Sequence, residues 1–280
     1  MKDLGYYNGV CDRIDRMTMP IGDRACYFGD GLFEVVYTRN HKMYAADEHM
    51  RRMYESAAFL GIDIPLTQEE FLALLDDLVH RVDEDEQIVY WQISRGTGLR
   101  THAPSEGMKA NILVTIRPMK LHDCYRPMKL VTVEDTRFFH CNMKTLNLLP
   151  TVLASRRAQA AGAQEAVFHR AGHVTECAHS NLAIIRDDGC LQTAPADNLI
   201  LAGITRGHVL TTCQKLGIPT LEKPFTLEEM MGAAQVVVIS SGTLFCPASY
   251  VDGIPVGGRR YDVLDAVRKS LIADFLEKTE

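Results

Sequence analysis

The chain has 280 residues, of which 46% are hydrophobic and 24% charged; this excludes a disordered protein and allows one large or two medium domains with sizeable cores. The formal net charge is −6 and the basic pairs Arg51-Arg52, Arg156-Arg157 and Arg259-Arg260 stand isolated, which argues against a nucleic-acid partner. The opening MKDLGYYNGVCDRID lacks the apolar core of a signal peptide, and no run of about eighteen apolar residues escapes a charge, so a cytoplasmic protein without membrane spans is expected.

In chain order, LFEVVYT (Leu32 to Thr38) reads as a strand. DEHMRRMYESAAFLG then places Met50, Met53, Tyr54, Ala57 and Ala58 on one apolar helical face, with Asp47 as the expected N-cap. Thr67 to Glu70 is a capping box that opens a second helix running to about Val82. IVYWQISR and NILVTIR follow as interior strands. RPMKLHDCYRPMK, with prolines at 118 and 127, is the expected linker, which gives a small N-terminal domain over 1–120 and a larger one over 121–280. Beyond it come a strand (KLVTVED), a helix after Lys144, and EAVFHRAGHVTE as strand, turn at Ala171-Gly172 and strand. LAIIRDDGCLQTA reads as a hairpin turning at Asp188-Gly189, and a helix begins near Gly203. A second capping box, Thr226 to Glu229, the buried strand AQVVVIS, the hairpin VDGIPVGG and a C-terminal helix complete the chain. The expected class is α+β, in two domains. The eight cysteines are scattered with no C-x-x-C, so they are expected to be buried, reduced and structural, with no metal site.

Lys144 lies among Asn142, Met143, Thr145, Leu146 and Asn147, none of them an anion. The ordinary reading is a lysine on a surface loop. A lysine in an apolar, partly buried setting, however, can lose its charge, hold an aldehyde cofactor as a Schiff base and later shuttle protons. Pyridoxal phosphate in that role needs a carboxylate at its ring nitrogen, groups for its phosphate and a recognition group for the substrate. Glu176, where the strand in HVTECAHSN ends, is the candidate carboxylate. Ile204 and Thr205 at a helix start, the hydroxyls of ISSGT (Ile239 to Thr243) and the permanent charge of Arg52 are candidate phosphate groups. Each has an ordinary alternative: an exposed strand-end glutamate, a helix that starts after glycine, a solvated arginine.

Together these segments resemble a family. FGDGLFEVV, DEHMRRMYESA, SRGTGLRTHAP, CNMKTLNLLPTVLA, EAVFHR, VTECAHSN and ILAGITR stand in the order and spacing of the fold-type IV pyridoxal-phosphate enzymes (the class IV aminotransferases), most closely the bacterial D-amino acid aminotransferases. The resemblance implies pyridoxal 5′-phosphate, a homodimer, and transamination between D-amino acids and 2-oxo acids. It implies Lys144 as the covalent lysine and Glu176 as the partner of the ring nitrogen. It implies Arg52, Ile204, Thr205, Ser241 and Ser240 as the phosphate cup, with Arg100 and His102 reaching from the neighbouring subunit to the substrate carboxylate. Phe33 departs from the pattern, since the closest relatives carry a tyrosine whose hydroxyl helps hold that carboxylate. Phenylalanine there occurs in branched-chain L-amino acid aminotransferases and aminodeoxychorismate lyases, which stay open as alternatives beside an R-selective amine transaminase and a non-catalytic cofactor-binding protein. His179, in ECAHSN, also departs; it either lines the cofactor or fills space.

Overall fold

The computed structural model describes residues 1–280. The chain divides into two compact units, one of residues 1–121 with 143–147 and 276–280, the other of residues 122–142 and 148–275.

In the first unit, β1 (Leu4–Tyr7) and β2 (Val10–Asp12) join through Asn8-Gly9, both at positive φ, the conformation that a two-residue type I′ hairpin requires. Helix α1 (Arg24–Phe28) is capped by the Asp23 carboxylate and ends at Gly29 in the left-handed conformation. Along β3 (Gly31–Arg39) buried and half-buried residues alternate from Leu32 onward, the period of two that puts neighbours on opposite faces. After β4 (Lys42–Met43) come α2 (Ala46–Leu60) and α3 (Gln68–Val79), then β5 (Gln87–Ser94) and β6 (Asn111–Pro118). The six strands form an antiparallel sheet in the order β2-β1-β6-β5-β3-β4. Met50, Met53, Phe71, Leu75 and Leu78 of the helices pack on Val36, Trp91 and Val114 of this sheet.

The Thr67 capping box forms as expected. Asp47 is not the N-cap of α2: Ala45 occupies that position at φ 56° without a side-chain bond, and Asp47 lies in the first turn with Glu48, where carboxylates favour the helix dipole. Ala58, expected on the apolar face, is exposed, because the buried stripe narrows to His49, Met50, Met53 and Ala57.

The second unit holds β7 (Met128–Glu134), α4 (Leu149–Ala160), β8 (Glu165–Arg170), β9 (His173–Cys177), β10 (Asn181–Ile185), β11 (Leu191–Thr193), α5 (Ile204–Lys215), β12 (Thr220–Glu222), α6 (Leu227–Gly232), β13 (Gln235–Ser240), β14 (Leu244–Val251), β15 (Ile254–Pro255) and most of α7 (Tyr261–Lys278). Its nine-stranded sheet runs β12-β11-β10-β13-β14-β7-β8-β9, with β15 on β14. β7 and β8 are parallel, so α4 is the crossover between them, and it seats Ala154 and Ala158 against Val131, Ala166 and Phe168. The β10–β11 reversal is centred one residue earlier than expected. Gly189 N donates to Arg186 O, and Asp188 takes the Cys190 N–H, so Asp187-Asp188 make the turn and Gly189 (φ 85°) follows it.

All eight cysteines are unpaired; Cys124, Cys141, Cys177, Cys213 and Cys246 are buried as expected, whereas Cys11 and Cys190 are half-buried and Cys26 is exposed. Cys26 lies on α1, which is too short to bury more than one side.

Candidate active site

Lys144 belongs to the first unit, in the segment 143–147. This segment forms a short antiparallel bridge to β3: Phe33 N donates to Lys144 O at 2.9 Å, Leu146 N to Gly31 O at 3.1 Å, and Thr145 pairs with Leu32. A Cβ on Gly31 would overlap Ile93 O of the neighbouring β5 and press on the end of the Leu146 side chain, so glycine is what lets β3 lie so close to β5 at this point. Lys144 Nζ sits 4.5 Å from the centre of the Phe33 ring, which in turn stacks on Tyr90 at 5.5 Å. The lysine is half-buried over an aromatic face.

Glu34 follows Phe33 and points to the other face of β3, toward α2. There Arg52 Nε and Nη2 donate to its two oxygens at 2.7 and 2.6 Å, and His49 Nδ1 lies 2.7 Å from Oε2. Burial would raise the Glu34 carboxyl, but the Arg52 charge and the bonds from His49 and Arg52 outweigh it and hold the group at about 2. Burial pushes His49 below its usual value against the pull of Glu34, and the charges of Arg52 and Lys144 add to the depression.

Glu176 is the penultimate residue of β9 in the second unit, 6% exposed. Its Oε1 is ion-paired with Arg137, and its Oε2 accepts from Asn181 Nδ2 at 2.9 Å and Leu201 N at 3.1 Å. Arg137 also grips Asp135 through Nε (2.9 Å) and Nη2 (2.8 Å). Burial would raise Asp135, yet Arg137 and Arg170 hold it below the usual range. Asn181 is the hub of this cluster: its Nδ2 also donates to Leu201 O at 2.9 Å, and its Oδ1 sits where a Cβ on Gly203 would have to go. Gly203 is the N-cap of α5 and brings no side chain to the helix start; Ile204 and Thr205 follow with N–H groups that precede the first intrahelical bond. Asn181 also pairs with Ile239 across β10 and β13, one residue before Ser240, whose hydroxyl lies 2.9 Å from that of Thr243. Glu176, Ile204, Thr205, Ser240 and Ser241 are thus gathered within one unit.

Arg100 and His102 belong to the first unit, on the long loop between β5 and β6. Both are exposed. Arg100 Cζ lies 6.0 and 5.5 Å from the Tyr27 and Phe28 rings, and the His102 ring 5.5 Å from Phe28. His179 is 62% exposed, its Nδ1 2.8 Å from the buried Glu165 carboxylate; it caps a buried charge from the surface.

The amino-transferase class IV family profile matches residues 31–251. The chain is a class IV aminotransferase. It is 36% identical over 277 residues to the D-alanine aminotransferase of Listeria monocytogenes serotype 4b, covering 96% of this chain and 95% of that protein. Among solved structures, the branched-chain amino acid aminotransferase from Escherichia coli superposes with a TM-score of 0.89 at 22% identity, over 100% of this chain and 96% of that one. The branched-chain aminotransferase from the archaeon Thermoproteus uzoniensis, solved with norvaline, superposes with a TM-score of 0.86 at 22% identity, over 98% and 97%. At these identities the two structures establish the fold.

In this class IV aminotransferase the residues present fit a phosphorylated pyridine cofactor: a buried, ion-paired carboxylate is tied by one asparagine to a helix start that has no side-chain cap. Sequence reasoning missed Arg137, Asn181, Glu34 and His49. ECAHSN contained Asn181, but nothing in the spacing tells an asparagine that bridges two segments from one in a turn. Glu34 did carry a signal, as a charged residue inside an apolar strand, a position that a paired charge tolerates and an unpaired one does not.

Proposed function

We propose that this aminotransferase moves the amino group of D-amino acids such as D-alanine to 2-oxo acids with pyridoxal 5′-phosphate, as a homodimer. The observation that carries the reading is the buried Glu176 carboxylate, ion-paired with Arg137 and tied through Asn181 to the uncapped start of α5. The likeness to D-alanine aminotransferases supports the choice of substrate.

When bound, the cofactor supplies an aldehyde carbon that takes the amino group and a ring that draws electron density from Cα. Lys144 would hold that carbon and, as general base and then general acid, would take the proton from the substrate's Cα and give one back. The Phe33 ring beneath it gives Nζ an apolar support. Glu176 holds a proton at the ring nitrogen. The N–H groups of Ile204 and Thr205, the hydroxyls of Ser240 and Ser241 and the charge of Arg52 bind the phosphate. Arg100 and His102, from the neighbouring subunit, orient the substrate by its α-carboxylate, while Phe33 offers that carboxylate no hydroxyl.

The missing hydroxyl favours a second reading, a branched-chain L-amino acid substrate, and one experiment separates the two. The holoprotein is mixed with D-alanine and, separately, L-leucine while the cofactor absorbance is followed. D-alanine is expected to convert the cofactor and release pyruvate while L-leucine leaves the spectrum unchanged; the reverse result overturns the D-amino acid reading.

A further inference from the structure

Arg24 is a buried arginine that the roles above leave unused. It is 3% exposed, and its guanidinium serves three acceptors on two different segments. Nε donates to Asp30 Oδ2 at 2.7 Å, Nη1 to Thr101 O at 2.7 Å and Nη2 to His102 O at 3.0 Å. Its own backbone N–H donates to Gly96 O at 3.0 Å. Asp30 accepts from Arg95 Nε as well, at 2.8 Å. Burial would raise its carboxyl, but the bonds from Arg95 and Arg24 hold it below the usual range. The helix that carries Arg24 is itself fixed, because the Asp23 carboxylate caps α1 and accepts from Tyr7 and Asn111.

The fork of Arg24 therefore ends on the backbone of the residues that flank and include His102. The ring of Phe28 completes the arrangement: Arg24 Cζ lies 4.6 Å from its centre, Arg100 Cζ 5.5 Å and the His102 ring 5.5 Å. Without such anchors, ordering two rotamer-rich exposed side chains on a long loop consumes binding energy at each turnover.

We propose that Arg24 and Phe28 are positioning residues for substrate carboxylate recognition: Arg24 fixes the backbone at Thr101 and His102, and Phe28 is the platform on which Arg100 and His102 rest. The inference builds on the assignment of Arg100 and His102 to the carboxylate. It gives the FGDG segment a physical role, since Phe28 is the platform and Asp30 the counter-charge that aims Arg24.

The test uses the holoenzyme with D-alanine as substrate and propionate, a carboxylate without an amine, as competitor. Arg24→Lys keeps the charge beside Asp30 but has no planar fork to reach two carbonyls. It is expected to raise KM for D-alanine and the propionate inhibition constant together, by about tenfold, the scale of a misoriented binding group, with kcat within about twofold. Phe28→Leu, which leaves the Arg24 hydrogen bonds in place, is expected to move both constants the same way by a smaller factor, and it decides the matter if the lysine variant does not fold. Arg100→Ala is the control. If Arg100→Ala raises both constants and neither positioning variant does, this inference alone is overturned. If Arg100→Ala leaves them unchanged, the carboxylate assignment is wrong and the inference falls with it. Loss of kcat at constant KM and inhibition constant also overturns it, because that is the signature of a general structural role.

Discussion

Gly203 has no room for a Cβ, because Asn181 Oδ1 occupies the space, and Asn181 is the residue that holds Glu176 and Leu201 together. Gly203→Ala is therefore expected to displace Asn181 and, through it, Glu176, costing roughly 1–3 kcal/mol of stability as an overpacked site. The same variant should slow turnover at saturating substrate; a melting curve and kcat measured on one preparation check both. Glu34 contributes to the response to acid. Its carboxyl falls from an ordinary 4.5 to about 2, so the unfolded chain binds a proton before the folded one does. That stabilisation is complete above pH 4.5, is lost as pH falls toward 2, and amounts to something on the order of 3 kcal/mol. His49, also depressed, adds to the same slope from its unfolded value downward. Acid unfolding of the wild type should accordingly be steeper over that window than that of Glu34→Gln, and a pH series of urea melts measures the difference. Lys144 and Glu176 were proposed from the sequence through their neighbours and their place in a known order. The residues that hold Glu176 were not, since Arg137 reaches it, and Asn181 ties it to Leu201, only once the chain has folded.

Among the elements, α4 shows best what a pattern conveys and what it hides. Its buried residues are two alanines, Ala154 and Ala158, while Leu149, Val152 and Leu153 on the same helix are 70%, 49% and 54% exposed. Spacing of i, i+3 and i+4 puts those three on one face, and full burial of each is worth about 1.5–3 kcal/mol. If the proposed homodimer buries this face, Leu153→Lys is expected to shift it toward monomer, read by sedimentation velocity across a concentration series. The sequence marked a helix after Lys144 but could not tell which of its faces is covered. The capping boxes of α3 and α6 were legible because both partners lie three residues apart and bond locally. The β1–β2 hairpin was missed although Asn8-Gly9 announces it, because four- and three-residue strands are too short for alternation to register. Cap and turn errors at Asp47 and Asp188 have the same origin: short polar residues compete for one cap, and the backbone φ that decides between them is set by the residues around them.

At the scale of the molecule, the first unit is not contiguous in sequence. Residues 143–147 bridge to β3 and place Met143 in its core, and Thr279, fully buried, accepts from Asn40 at 2.9 Å. Composition and linker chemistry pointed to a division near residue 121, but a linker shows only where a chain leaves a unit and never where it returns. During synthesis, β1 to β6 emerge from the ribosome before the lysine segment does, and longer still before Thr279. The sheet so formed has an unfilled edge at β3 and a core short of Met143, so the fragment 1–121 is expected to show native-like helix and strand content yet melt without a sharp transition, as circular dichroism against temperature reveals. Emergence and completion thus run opposite ways in this protein: the unit whose strands are made first is the unit whose last segment is made last.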